Sequence, residues 1–306
     1  MLDAIQKKLL SLVADITETP KGAYNIRSDS ESAGRQSTEN IQIISKEDKP
    51  GIDIIVKPGT KGETVHIPAV ITHSGVDDLV YNDFIIGEDA DVTIVAGCGI
   101  HTEGTAVSHH TGVHKFIMGK NSRAKYLEKH IGVGEGTGER VIDPTTVVEM
   151  EEGSVLEIET THIEGIDSTK RVTEAKIGDN ATLLIKEKMM THDKQRAETR
   201  FDVDLCGDNS KAHVVSRSVA KGDSKQVFYA KIDGNNNCYG HSECDAILMD
   251  NGQVSAVPEV NANHLDATLI HEAVMGKIAG EQLTKLMTLG LSEKEAEERI
   301  IEGFLA

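Results

Sequence analysis

Tryptophan is missing from the 306 residues of this chain, and aromatic side chains make up only 3 % of it. A chain of this length buries a substantial core. That core must therefore be built from Val, Ile, Leu and Ala. Cysteine is scarce as well, with four residues scattered along the chain. So few thiols argue against a disulfide-stapled fold and for a reducing compartment. No apolar run approaches the roughly 18 residues of a membrane span. The opening MLDAIQKKLLSLVADI mixes Asp3, Lys7, Lys8 and Asp15 among its apolar residues, unlike the apolar core of a signal peptide. A cytoplasmic protein is the expectation, with no membrane partner. Basic charge is also short: 32 Lys and Arg face 50 Asp and Glu, a net charge of −18. Such a surface repels a phosphate backbone and excludes nucleic acid as a natural partner. The phosphate-loop pattern GxxxxGK[ST] occurs nowhere.

What is present is periodic. Leu2, Ile5, Leu9, Leu12, Val13 and Ile16 recur at helical spacing, which predicts an amphipathic N-terminal helix. Residues 17–41 are polar, with Gly and Ser among them, and read as a long loop. From residue 42 to about 260 short alternating strands are broken by Gly, Asp and Asn. One unit recurs, as IGEDADVTI from Ile86, MGKNSRAKY from Met118, MEEGSVLEI from Met150, IGDNATLLI from Ile177 and CGDNSKAHV from Cys206. Each has an apolar residue, a polar turn, a small residue and then alternating apolar positions. The starts lie 32, 32, 27 and 29 residues apart. A repeat of this length made of strands predicts a mainly β chain, a parallel β-helix, over the competing β-sandwich. Stacked coils also account for the missing aromatics, since aliphatic side chains stack in register.

Helical patterns return at the C-terminus. Leu283, Leu286 and Leu289 share one side of a helix that Gly290 stops. Ser292 and Glu295 form a capping box that opens a second helix, with Ala296, Ile300, Ile301 and Phe304 on its apolar face. The expected organisation is a helix and loop over 1–41, a β-helix core over 42–268 and a helical segment over 269–306.

The candidate chemistry lies in CYGHSECD. Cys238, His241 and Cys244 stand three residues apart, but three donors fall short of a closed zinc site and no second C-x2-C exists. Cys238 follows the loop DGNNN, and Cys244 begins the strand-like CDAILMD. Cys206 fills the apolar slot before a repeat turn and reads as a buried structural thiol. Cys98 with His101, His109, His110 and His114 is an alternative metal cluster, without the ligand spacing of a known zinc motif. His271 and Glu272 are adjacent, so in a strand they point to opposite faces.

GHSECDAILMD, then LIHEAVMGKIAGEQL, then LGLSEKEAEERIIEGFL resemble, in that order and at close spacing, the SufB/SufD family. These are scaffold subunits of the SUF system of iron–sulfur cluster assembly. The similarity runs over residues 42–306 and includes SRSVAKGDSKQVFYAKIDGN, and this chain looks like a short member. The resemblance implies a right-handed parallel β-helix with a C-terminal helical segment. It implies that Cys244 is the thiol on which a transient cluster, of the [4Fe-4S] type, is built. Glu272 would work with it as in SufB, and His271 would serve as in SufD. Cys238 and His241 have no such match and stay as secondary candidates. The family further implies a SufC-type ABC ATPase, met through Leu283, Leu286, Leu289, Ile300 and Phe304. It also implies a sulfur donor, acceptor apoproteins, and a homodimer or a SufB/SufD-type heterodimer. A shell of one Cys with Glu and His suits a cluster that must be released, whereas a resident cluster takes four thiolates. Two alternatives remain open: a β-helix that binds or cleaves polysaccharide, and a zinc-dependent enzyme using Cys98 and the histidines.

Overall fold

The computed structural model describes residues 2–306. Its helices are α1 Ala4–Ala14, α2 Gly280–Thr288 and α3 Glu293–Leu305. The strands of the N-terminal half are β1 Ala23–Ser28, β2 Glu31–Gln36, β3 Ile41–Ser45, β4 Gly51–Val56, β5 Lys61–Ile71, β6 Asp77–Ile86, β7 Asp91–His101, β8 Ser108–Met118, β9 Arg123–Val133 and β10 Arg140–Ile142. They continue as β11 Thr145–Met150, β12 Val155–Glu164, β13 Ser168–Ile177, β14 Thr182–Thr191, β15 Arg196–Leu205, β16 Ser210–Ala220, β17 Lys225–Gly234, β18 Cys238–Leu248, β19 Gln253–Ala262 and β20 Ala267–Gly276. From β4 on, successive strands alternate between two sheets, with β10 and β11 in the same one. One sheet runs β2-β1-β5-β7-β9-β12-β14-β16-β18-β20, and the other β3-β4-β6-β8, then β10 with β11, then β13-β15-β17-β19. The pairing is parallel apart from the two N-terminal hairpins. The result is a flattened β-solenoid of about eight turns, in which each parallel strand adds one rung to one wall and β10 and β11 share a rung.

The sequence repeat is the rung. Ile94 pairs with Tyr126, Tyr126 with Ile158, Ile158 with Ile185 and Ile185 with Val214. The polar turn in each unit has one physical task. Asp89, Asn121, Gly153, Asn180 and Asn209 all take left-handed backbone, with φ between 53° and 69°, a region that Asn, Asp and Gly tolerate best. The small residue after the turn is often Ser: the Ser122, Ser154 and Ser210 hydroxyls donate to the carbonyl oxygens of Gly119, Glu151 and Gly207. Inward side chains such as Ile94, Leu156, Ile177 and Leu183 fill the core. Phe84, Phe116 and Tyr126 cluster within it, and Phe201 packs on Phe228 further along.

Two expectations need correcting here. Residues 17–41 are not a loop, because β1 and β2 lie within them. Their polarity conceals buried Asn25 and Ser28, hydrogen-bonded by Arg35 and, from α1 on the outer face of the sheet, by Gln6. The hairpin between them turns on Asp29 and Ser30, both at positive φ, so no glycine marks it. Cys206 is exposed rather than buried. The rung position belongs to Leu205, in register with Ile177. The turn that follows carries one extra residue, and the amides of Cys206 and Gly207 both donate to the Ile177 carbonyl.

Helix α1 lies on the outside of the first sheet, with Leu9, Leu10 and Val13 buried. It sits close because Gly97 and Gly99 leave room. A Cβ at Gly97 would stand 2.9 Å from the Val13 carbonyl oxygen. At the other end α3 packs Leu305, Ile301 and Phe304 against Val219 and Met249. Helix α2 buries no residue.

Candidate functional site

Strand β18 holds the cysteine–histidine stretch, and it starts at Cys238 rather than at Cys244. Its burial alternates, so Cys238, Gly240, Ser242, Cys244 and Ala246 point into the solenoid while His241, Glu243 and Asp245 point out. Three donors spaced by three therefore cannot converge. Cys238 and Cys244 share the interior, and His241 stands on the opposite face of the sheet.

Cys244 is 1 % exposed. It lies in a column of inward residues formed by Ala96, Glu128, Thr160, Glu187, Ser216, Cys244 and Ala273 on successive rungs. That column is polar where an aliphatic one would be expected. Arg171, reaching in from the second sheet, stands 2.9 Å from Glu128 Oε2 and 3.9 Å from Glu187 Oε1. The Tyr126 hydroxyl donates to Glu128 at 2.9 Å, and His130 Nε2 lies 3.4 Å from the same carboxylate. Glu187 accepts from the Ser216 hydroxyl at 2.8 Å and from Thr199 at 3.3 Å. Burial alone would raise Glu128, but Arg171 and then His130 hold it well below the usual carboxylate range. Burial wins at Glu187, whose pKa is raised against the pull of Arg171. Cys244 is pushed up to about 12, first by burial and then by the charges of Glu187 and Asp245. Its thiol is protonated at neutral pH.

His271 points inward on β20, next to the end of the solenoid. Its Nδ1 is 2.7 Å from the hydroxyl of Ser242. Burial, then His241, lowers its pKa, so the ring is neutral. Glu272 faces outward, 63 % exposed, 3.8 Å from His241 Nε2. Within one protomer Cys244 and Glu272 are thus on opposite sides of the wall. Cys244 pairs with Ser216 and Ala273, and His271 with Ser242. One chain does not assemble the three into a single shell.

The Cys98 grouping does not close into a ligand set, although Cys98, His110 and His114 line one interior cavity with Glu128 and His130. Cys98 is buried in register with His130, its thiol raised by burial and by Asp78 and Glu128. Each of the four histidines is engaged elsewhere: His101 with the Thr72 carbonyl, His109 with Asp143, His110 with Asp78 and His114 with the Tyr126 hydroxyl. Sequence reasoning missed two features. One is the polar interior file of Glu128, Arg171 and Glu187. The other is a group of His213, His241 and Glu243 outside. Both were findable by aligning coils, since His213 and His241 occupy the same rung position one coil apart.

At the C-terminal end no further coil covers β19 and β20. Val257, Val260, Ile270, Val274 and Met275 are exposed there. Leu283, Leu286, Ile300 and Phe304 are half-buried, and Leu289 is 76 % exposed.

Fold and site define a class: a β-solenoid with buried thiols inside its wall, Cys244 and Cys238 among them one coil short of an uncovered end, and two helices beyond it. The particular family follows from comparison. Residues 77–304 match the family model described as SUF system FeS cluster assembly, SufBD core domain, and the chain belongs to that family. It is 28 % identical over 317 residues to the iron-sulfur cluster assembly SufBD family protein of Methanocaldococcus jannaschii, covering 99 % of each. A namesake from Archaeoglobus fulgidus is 28 % identical over 89 % of this chain and 72 % of its own length. That of Pyrococcus horikoshii is 26 % identical over 89 % of this chain and 83 % of its own. The family places this chain in iron–sulfur cluster assembly. No helix among the described residues is long and apolar enough to cross a membrane.

Proposed function

We propose that the chain is a scaffold on which an iron–sulfur cluster is built and then released, with Cys244 as its principal ligand. The observation that carries this reading is the placement of Cys244 beneath the last, least buried coil, with His271 on the strand that covers it. A thiol pushed up to about 12 does not bind metal by itself; iron must displace its proton, so metal arrival and deprotonation are one event. The remaining ligands come from two protomers. Glu272 cannot reach Cys244 through its own wall, whereas a second chain abutting β19 and β20 end to end would bring its Glu272 or His271 to the junction. Such a dimer would cover the apolar end and pair two exposed strand edges, which are otherwise a hazard. One cysteine with His and Glu gives a weak shell, which fits a cluster that is passed on.

The energy source is a partner ATPase of the SufC kind. Helix α2 follows β20 after a link of three residues, so a pull on the helices is transmitted to the strand that closes over Cys244. The Leu283, Leu286 and Leu289 stripe is the surface for that partner, since α3 already spends Ile301, Phe304 and Leu305 on the solenoid.

Size-exclusion chromatography with light scattering tests the assembly. The expected mass is twice the 33.1 kDa of the chain at micromolar concentration. A chain ending after Gly280 should remain a folded solenoid, and a SufC-type ATPase should no longer co-purify with it. A monomer throughout would overturn the two-protomer shell. Retained ATPase binding would move the docking surface onto the strands.

A further inference from the structure

We propose that His213, His241 and Glu243 form a mononuclear binding site for a borderline divalent transition ion, such as iron(II), cobalt(II) or zinc(II), on the outer face of the solenoid. This site is separate from the Cys244 interior and does not rest on the assembly role. His213 and His241 stand on neighbouring rungs of β16 and β18, with their rings stacked at 4.7 Å and 15°. Ligand atoms of both, and of Glu243, lie within 4.8 Å of one another. Among the described residues this is the one grouping of three such side chains.

Packing alone does not account for it. The Nε2 atoms of both rings are shielded from solvent and have no hydrogen-bond partner, which a buried polar atom ordinarily has. His241 Nε2 is 3.8 Å from Glu272 Oε2, too far for a hydrogen bond. Burial, followed by the neighbouring His241, lowers the pKa of His213, so its ring is neutral and its lone pair is free. Two imidazoles and a carboxylate suit ions of intermediate softness. Bonds of about 2.0–2.1 Å require the donors to close in slightly from their present spacing, a rotamer adjustment on a half-exposed face. All three side chains point away from Cys244, so a bound ion lies across the wall from the thiol.

Cobalt(II) added anaerobically to the chelator-stripped full-length chain tests the site, read by visible d–d absorption and by titration calorimetry. One equivalent should bind, with nitrogen and oxygen ligation and no thiolate charge-transfer band. His213→Gln, His241→Gln and Glu243→Gln should each weaken it by at least about tenfold, with circular dichroism unchanged, while Cys244→Ser binds as the wild type does. Binding unaffected by all three substitutions, or a thiolate band lost in Cys244→Ser, would overturn the proposal. The Cys244→Ser arm keeps this outcome distinct from that of cluster assembly.

Discussion

Cys244→Ser should abolish the visible iron–sulfur chromophore that forms when the chain is reconstituted anaerobically with iron and sulfide. Cys244 and Cys238 are the two interior thiols on the rung below the uncovered end, and of the two it is Cys244 that lies in GHSECDAILMD, the segment that resembles the family. Serine fills nearly the same space and keeps a polar hydrogen, so the rung should fold as before, checked by circular dichroism and by the elution volume of the dimer. Cys206→Ala is the control. Cys206 is exposed on a turn, and its loss should change neither loading nor stability. The pH dependence has a definite sign. Because the thiol is protonated up to about pH 12 and iron displaces one proton, apparent affinity at fixed iron should rise with pH by about tenfold per unit. Normal loading in Cys244→Ser, or loading that is flat with pH, would remove Cys244 from the site.

Arg171→Leu should be the most destabilising single change in the interior. The guanidinium is the one cation set between the buried carboxylates of Glu128 and Glu187. Removing one partner from a buried ion pair typically costs about 3–5 kcal/mol, because a charge is left unpaired. Urea unfolding would measure the loss. In the wild type, the depressed Glu128 contributes stability that is present above its unfolded pKa and is lost only as pH falls through its low folded value. Without Arg171 both carboxylates would sit above their unfolded values. The variant should then regain stability as pH falls from 7 towards about 4.3, where the wild type gains less. Arg171→Leu combined with Glu128→Gln should recover much of the loss. A cost below about 1 kcal/mol, typical of an exposed pair, would show that the file is solvated.

The β-helix was readable because its repeat is a local pattern. A turn with Asn, Asp or Gly at a left-handed position must precede each rung, and it does at Asp89, Asn121, Gly153, Asn180 and Asn209. The opposite facing of His271 and Glu272 was readable for the same reason, from the two-residue period of a strand. The rest depends on what lies one coil away. Cys206 looked like a rung residue because one extra turn residue shifts the alignment, which only the pairing of Leu205 with Ile177 reveals. Strands β1 and β2 were hidden by buried polar side chains whose partners, Arg35 and Gln6, are remote or lie across the hairpin. Cys98 and its histidines are near in sequence, yet each histidine takes a different partner. His213 and His241 are far apart in sequence and stack ring on ring.

The most direct test of the central claim, that this chain builds a cluster in order to release it, is a transfer experiment. Wild-type chain is loaded anaerobically with iron and sulfide, freed of excess reagents, and mixed with an apo-ferredoxin while the visible and circular dichroism spectra are followed. The account predicts a sulfide-dependent chromophore on the scaffold that disappears as the ferredoxin spectrum grows in, and no transfer from Cys244→Ser. Failure of the wild type to form any sulfide-dependent chromophore, or a cluster that stays on the chain in the presence of the acceptor, would contradict it.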